Sequence, residues 1–407
     1  METSPDVVVI GGGPCGSFSA LNLARKGVTV TVFEEHGEIG IPSHCAGHLS
    51  ISGLKRLGLY PLPNNIVENF FYGANFYSPK GLEFSVRFDS PVTCAVNREL
   101  FDKYIAGLAE DSGAHYQLNS QVKSLTIENT HIKGAVVKQN EKTVKVSAKI
   151  VVDAEGIFPR ILKQAGLHPP RSDKIVHGFQ VEVEKVKNFE PDFVEVFLGS
   201  AYAPGFYAWL IPKCDGKAKV GLAARKGNPK ALLQNLMHKH PAASSKLAKA
   251  KILRESLHPI TLGGPIPRAY SNGFLAVGDA ASQVKPTTGG GVILGLNCAK
   301  IATDVAIEAL NKGDFSSQFL SVYQKRYMKI LGFDIKAMLM IRRMLDKIPD
   351  KKLDSIIGFY TKIHLDKAVK NFGEIDLQGQ AILKAGKSPR IIAALAYFFT
   401  TYLSANS

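Results

Sequence analysis

Three short runs of the chain are apolar almost without interruption and close on a glycine or an aspartate. Val7 to Ile10 reads VVVI, Lys149 to Gly156 reads KIVVDAEG, and Gly273 to Ala281 reads GFLAVGDAA. Continuous apolar runs of this kind belong to strands buried on both faces of a parallel sheet. A helical pattern from Gly16 to Lys26 and a second strand from Val28 to Phe33 follow the first run, which predicts a strand–helix–strand unit. In the middle of the chain the pattern changes. FQVEVEKV (Phe179 to Val186) and VEVFL (Val194 to Leu198) alternate apolar and polar positions, as strands with one face in a core do. From Asp314 onward the pattern is mainly helical, with an amphipathic stretch from Lys325 to Asp346 and breaks at Pro349 and Pro389. The longest apolar run, Ile391 to Leu403, follows Lys384, Lys387 and Arg390. It falls short of the ~20 residues a membrane span needs. It reads as a core or docking helix, with a monotopic membrane anchor as the alternative.

The first strand runs into GGGPCG, where Gly11, Gly13 and Gly16 fit G-x-G-x-x-G, and Glu34 closes the second strand 23 residues after Gly11. Each position has a physical task. Gly11 permits the tight turn, Gly13 lets the backbone approach a pyrophosphate, and Gly16 lets helix and strand pack closely. The helix N-terminus offers free N–H groups and a positive dipole end to phosphate. Glu34 stands where an acid accepts hydrogen bonds from a ribose. Strand, helix, second strand and terminal acid together predict a dinucleotide site.

Two later segments select the dinucleotide. KIVVDAEG, with Asp153 and Gly156, resembles the DG motif of para-hydroxybenzoate-hydroxylase-type flavoproteins, departing from it at Pro159. GFLAVGDAA, with Asp279 and then Gly289, Gly290 and Gly291 ahead of a helix from Val292, resembles the GD motif of the same superfamily. Arg98 in VNRELFD matches the arginine those proteins set against the cofactor. The resemblance implies FAD, with Asp279 on the ribityl chain and the glycine run beside the isoalloxazine. No second Rossmann unit for NAD(P)H is apparent. The external electron donor therefore stays open among NAD(P)H, reduced ferredoxin and reduced deazaflavin.

FYAWLIP (Phe206 to Pro212) with Gly221 resembles the YxWxFP…VG signature of geranylgeranyl reductases, with Ile211 where that family often has Phe. GIPSHCAGHLS (Gly40 to Ser50) resembles the cysteine-bearing loop of the same family, and the nearest subgroup is the archaeal enzymes that saturate digeranylgeranylglycerol lipids. The family resemblance implies FAD-dependent reduction of geranylgeranyl double bonds in membrane-lipid precursors. It assigns Tyr207, Trp209, Ile211 and Pro212 to the lipid pocket and sets Cys45 in the flavin region. The same segment approaches the WxWxIP motif of flavin-dependent halogenases, so an oxygen-using monooxygenase or halogenase is the second reading. A redox-silent flavin isomerase, cyclase or lipid carrier is the third.

An isolated alkene accepts hydride only when a proton arrives with it, so the site needs an acid in dry surroundings. The candidates are Cys45, His44 and Tyr207, and Cys45 and Cys298 are a possible pair near the flavin. The five cysteines are few, odd in number and scattered, which excludes a disulfide scaffold and a zinc site, and no metal is expected. The expected architecture is α/β. It has a glutathione-reductase-type Rossmann FAD domain (1–65, 93–165, 263–312), an antiparallel-sheet substrate domain (66–92, 166–262) and a C-terminal helical cap (313–407).

Charge adds the partners. Fifty basic against thirty-five acidic residues give +15, and Lys213 to Arg254 holds eleven Lys or Arg and one acid, Asp215. Such an excess suggests an anionic partner, and the basic run itself reads either as a solvated surface insertion or as a surface that meets phosphate headgroups. Phosphate headgroups of a polyprenyl phospholipid at a membrane surface fit it. Nucleic acid does not, since no aromatic residue interleaves with the basic run. With no signal peptide read ahead of the first strand, the expected location is cytoplasmic and peripheral to the membrane.

Overall fold

In a computed structural model, residues 4–370, 375–386 and 388–405 are described, so Lys387 lies outside the described residues. The chain forms two compact units, each assembled from three separate stretches.

The first unit comprises 1–43, 98–174 and 261–333. Its six-stranded sheet runs in the order Tyr270–Ser271, Phe274–Ala276, Ile150–Asp153, Val7–Ile10, Val30–Phe33, His115–Gln117. All neighbours are parallel except the terminal hairpin of Tyr270–Ser271 with Phe274–Ala276. The apolar runs that predict buried strands form its centre, and every residue of Val7–Ile10 and Ile150–Asp153 is buried. The helix Pro14–Ala24 starts two residues earlier than its hydrophobic pattern, because Pro14 suits a first-turn position. It packs against Arg98–Asp111 and Val292–Lys312. A three-stranded antiparallel sheet, Ser120–Glu128, His131–Gln139 and Lys142–Ser147, completes this unit.

The second unit comprises 44–97, 175–260 and 334–407. Its seven-stranded sheet runs Lys251–Thr261, Ile175–Glu184, Ala218–Ala224, Ala208–Pro212, Phe193–Phe197, Gly73–Tyr77, Glu83–Arg87. Its strands pair antiparallel from Ile175–Glu184 through Phe193–Phe197, and Gly73–Tyr77 with Glu83–Arg87 likewise. Phe193–Phe197 lies parallel to Gly73–Tyr77, which a pair separated by a long excursion can do and a hairpin cannot. One face of the sheet buries Val181, Val220, Leu222 and Leu210 beneath the helices Pro229–Lys239 and Pro241–Leu247. Beyond Asp334 the chain is helical as expected, but it is no separate body. The division between the units falls inside the single helix Ser317–Leu345, and residues 44–65 and 93–97 group with the second unit.

Candidate functional site

In the first unit the glycine–acid turns meet at one end of the sheet. At Gly11, with φ near +93°, a Cβ would stand 2.6 Å from the Ala154 carbonyl oxygen, and at Gly16 it would stand 1.9 Å from the Gly11 oxygen. No larger side chain fits either position. Nothing lies within 4 Å of where a Cβ on Gly13 would be, so the space above the helix start is open. Pro14–Ala24 and Val292–Lys312 both begin without a side-chain cap, which leaves their first amides available to an anion. Glu34 reaches back to the loop. Its Oε2 accepts the Gly12 amide at 2.7 Å, and Oε1 accepts the His36 amide at 2.9 Å and lies 2.6 Å from His36 Nδ1.

Asp153 ends its strand fully buried. One carboxylate oxygen accepts the Glu155 amide, while Oδ2 has no protein partner, and burial pushes the carboxyl well above its usual range. Asp279 is also pushed up by burial, and the Arg98 guanidinium pulls it partly back. Arg98 is held by a two-pronged bond to Asp102 at 3.0 and 2.8 Å. Gly291 lies against Asp279, since a Cβ there would stand 2.7 Å from Oδ1. A network the sequence did not reveal braces this turn. Gln283 Oε1 accepts the Gly278 amide, Gln283 Nε2 donates to Tyr323 Oη, and that hydroxyl donates to the Ala276 carbonyl. An open loop over two uncapped helix starts, which donate, and the carboxylates of Glu34 and Asp153, which accept, suit an FAD.

The second unit gathers the remaining candidates. Trp209 and Ile211 share a sheet face with Val194; Phe71 and Ala95, from a separate three-stranded sheet, and Ala46 pack on the same cluster, which brings the loop of Cys45 to that face. Tyr207 precedes the strand rather than lying in it. Its ring stacks on Phe206 at 4.3 Å and meets Trp209 edge-on at 5.9 Å. Trp209 Nε1 donates to Gln180 Oε1 at 3.0 Å, and Gly221 leaves room for the indole, a Cβ there standing 2.6 Å from the ring. His44 stacks on His258 at 5.6 Å. Cys45 is partly exposed, and its sulfur accepts the Gly47 amide at 3.4 Å. Burial pushes the Tyr207 phenol up, and the Arg342 guanidinium opposes that shift. Arg342 is itself buried and shares Asp346 with Arg225, at 2.7 and 2.9 Å.

Lys219 is a residue that sequence reasoning placed on a basic surface. Its ammonium is buried, donating to the carbonyls of Ala46 and Val96 at 3.1 and 3.3 Å and pairing with Glu68 at 2.5 Å. Lys213 bridges Glu68 and Glu182. At least seven of the eleven basic residues between Lys213 and Arg254 form ion pairs, Lys217 with Asp215 inside that stretch and the other six with acids outside it. Lys219 is buried, and Lys213 and Lys246 largely buried, against their acids, while Lys217, Lys230 and Lys251 stay at the surface. The acids that meet Lys219, Arg225 and Lys246 are Glu68, Asp346 and Glu195, each distant in sequence.

Cys45 and Cys298 are both free thiols. Cys298 is fully buried in the helix Val292–Lys312, where burial, with Cys15 adding to it, pushes its thiol up. Cys15 packs beneath Gly278 and Gly295, so these two behave as small apolar side chains. Among the described residues no cluster of His, Cys, Asp and Glu suits a metal.

A family model described as an FAD binding domain matches residues 4–326. The digeranylgeranylglycerophospholipid reductase 2 of Methanopyrus kandleri is 32% identical over 388 residues, covering 94% of this chain and 95% of that protein. The chain belongs to the FAD-binding digeranylgeranylglycerophospholipid reductase family. FAD is its cofactor, and the protein is a flavin-dependent oxidoreductase. A geranylgeranyl bacteriochlorophyll reductase-like protein from Thermoplasma acidophilum shares the fold of this family member, with TM-score 0.85, 27% identity, and 97% and 99% of the two chains covered. A flavin-dependent brominase, with TM-score 0.72, 18% identity, and 90% and 93% covered, is similar in fold alone.

Proposed function

We propose that the protein saturates the double bonds of geranylgeranyl chains in digeranylgeranylglycerophospholipids, working at the membrane surface and recharged by a separate electron donor. The observation that supports this reading is the apolar cluster of Trp209, Ile211, Phe71 and Val194 with the Cys45 loop packed upon it. Bound FAD in its reduced form supplies the hydride. The polypeptide does the rest. The loop, Glu34, Asp153, Asp279 and the glycine run hold the cofactor. The Trp209 face, with Tyr207 and Pro212, accepts the prenyl chain and keeps water out, so that a developing tertiary cation meets no competing nucleophile.

Cys45, with His44 beside it, and Tyr207 are the proton sources. Tyr207 is a protonated phenol at neutral pH, and the Arg342 cation stabilises the phenolate that remains once the proton has left. Among the described residues no helix is long and apolar enough to cross a membrane. A peripheral protein meets a lipid substrate under that constraint by lying on the bilayer.

The test is mass spectrometry of digeranylgeranylglyceryl phosphate after incubation with dithionite-reduced protein. The product gains two hydrogens per double bond. Unaltered lipid, or an oxygenated product on admission of air, would overturn the proposal.

A further inference from the structure

The C-terminal helix Pro389–Leu403 is apolar on both sides. Its inner side is accounted for. Ile391, Ala394 and Leu395 pack on Phe84, Val86 and Ile357, while Tyr397, Phe398 and Tyr402 pack on Ile348, Leu353 and Ile356. The Tyr397 ring stacks on Phe359 at 4.2 Å. The outer side carries Ile392, Ala396, Phe399 and Leu403, whose spacing of four, three and four residues puts them in one line. Ile392, Phe399 and Leu403 are 53%, 41% and 64% exposed, and Leu383 on the preceding helix Gln378–Ala385 is 65% exposed. The outer side of a surface helix normally carries charge.

Charge on the last two helices has one sign. Between Leu377 and Ala405 the sequence contains no Asp or Glu. Lys384 and Arg390 are exposed toward the start of the helix. At its far end Lys352 reaches Ser404 at 3.3 Å, next to exposed Lys351. Pairing this line with a second copy would set basic ends against basic ends whether the helices ran parallel or antiparallel. An anionic layer with an apolar interior matches both features at once. The 15-residue helix is about 22 Å long, shorter than a ~30 Å hydrocarbon core, so it lies in the plane of the interface.

We infer that the line Ile392–Ala396–Phe399–Leu403, with Leu383 and a rim of Lys351, Lys352, Lys384 and Arg390, is the surface by which the protein docks on an anionic lipid bilayer. This rests on the membrane-surface reading above and names the face responsible.

Co-sedimentation of the FAD-loaded full chain with phosphatidylglycerol vesicles, and with phosphatidylcholine vesicles as the neutral arm, tests it. The wild type partitions onto the anionic vesicles, and Ile392→Asp/Phe399→Asp lowers the partition coefficient at least about tenfold. Lys384→Glu/Arg390→Glu lowers it about tenfold or more, and high salt acts in the same direction. Flavin absorbance and reduction of detergent-dispersed lipid stay at wild-type levels in these variants. Should the aspartates cost bound FAD, Ile392→Gln/Leu403→Gln replaces them, with the same loss of partitioning expected. Wild-type partitioning by the variants, no partitioning by the wild type, or a wild-type dimer in sedimentation equilibrium that the variants lose would overturn the inference. If detergent-dispersed lipid is reduced while vesicles are ignored, only the docking face falls. If wild-type protein reduces neither, the functional proposal falls.

Discussion

A single thiol near an apolar sheet face has little to do unless it carries a proton or packs, and the two roles separate on mutation. Cys45→Ala should leave flavin absorbance unchanged and lower lipid reduction about a hundredfold, within the range for loss of a general acid. Unchanged turnover would remove Cys45 from the chemistry. Lys219 acts one step back, holding the Ala46 carbonyl beside that thiol. Lys219→Met strips Glu68 and two carbonyls of a buried cation, and its expected cost is about 3 kcal/mol in a urea titration. Freed of its clamp, Cys45 should alkylate at a different rate from the wild type, an effect that Lys219→Met would not produce if the lysine served stability alone. Gly221→Ala would drive a methyl into the indole of Trp209. The expected cost is about 1–3 kcal/mol, together with a shift in the emission of the protein's one tryptophan.

At the scale of elements, the molecule depends on how its strands and helices end. Each cofactor motif is a strand that stops at an acid or glycine, and the first and third lead on to helices, Pro14–Ala24 and Val292–Lys312, whose starts are left uncapped. Such an end was readable because it has a local signature. The short helix Pro241–Leu247 had none. Its cap is His240, buried, with Nδ1 accepting the amides of Ala242 and Ala243 and Nε2 donating to the Ser78 carbonyl. Both nitrogens are thus committed to the neutral ring, and burial holds the imidazole below its ordinary value of 6.5. A depressed folded-state value means that the unfolded chain takes up the proton first. The stability His240 contributes is therefore full above the ordinary value and is lost as pH falls through the lowered one. Thermal unfolding followed by circular dichroism should show a midpoint that declines on acidification. His240→Asn, which keeps a capping acceptor, should flatten that decline.

Across the whole molecule, the chain passes between its two units repeatedly, each being built from three stretches. Ligand held by the first unit therefore bears on the folding of everything threaded through it. FAD at a hundredfold excess over its dissociation constant should stabilise the native state by about 2.7 kcal/mol, and its removal should lower the unfolding midpoint correspondingly in a calorimeter. The same threading explains the limits of reading the sequence. The charge run from Lys213 to Arg254 looks unopposed along the chain. In space Lys219 meets Glu68, Lys246 meets Glu195 and Arg225 meets Asp346, each partner supplied by another element. The sequence by itself determined the parallel sheet, the three cofactor turns, the family and the chemistry, because each rests on residues a few positions apart whose geometry is local. Tertiary structure alone decided that the Cys45 loop sits on the Trp209 face, that Lys219 clamps it, and that Cys298 is core. It also decided which side of the last helix faces outward. Burial and ion pairing are properties of neighbours in space, and a chain this interleaved draws those neighbours from hundreds of residues away.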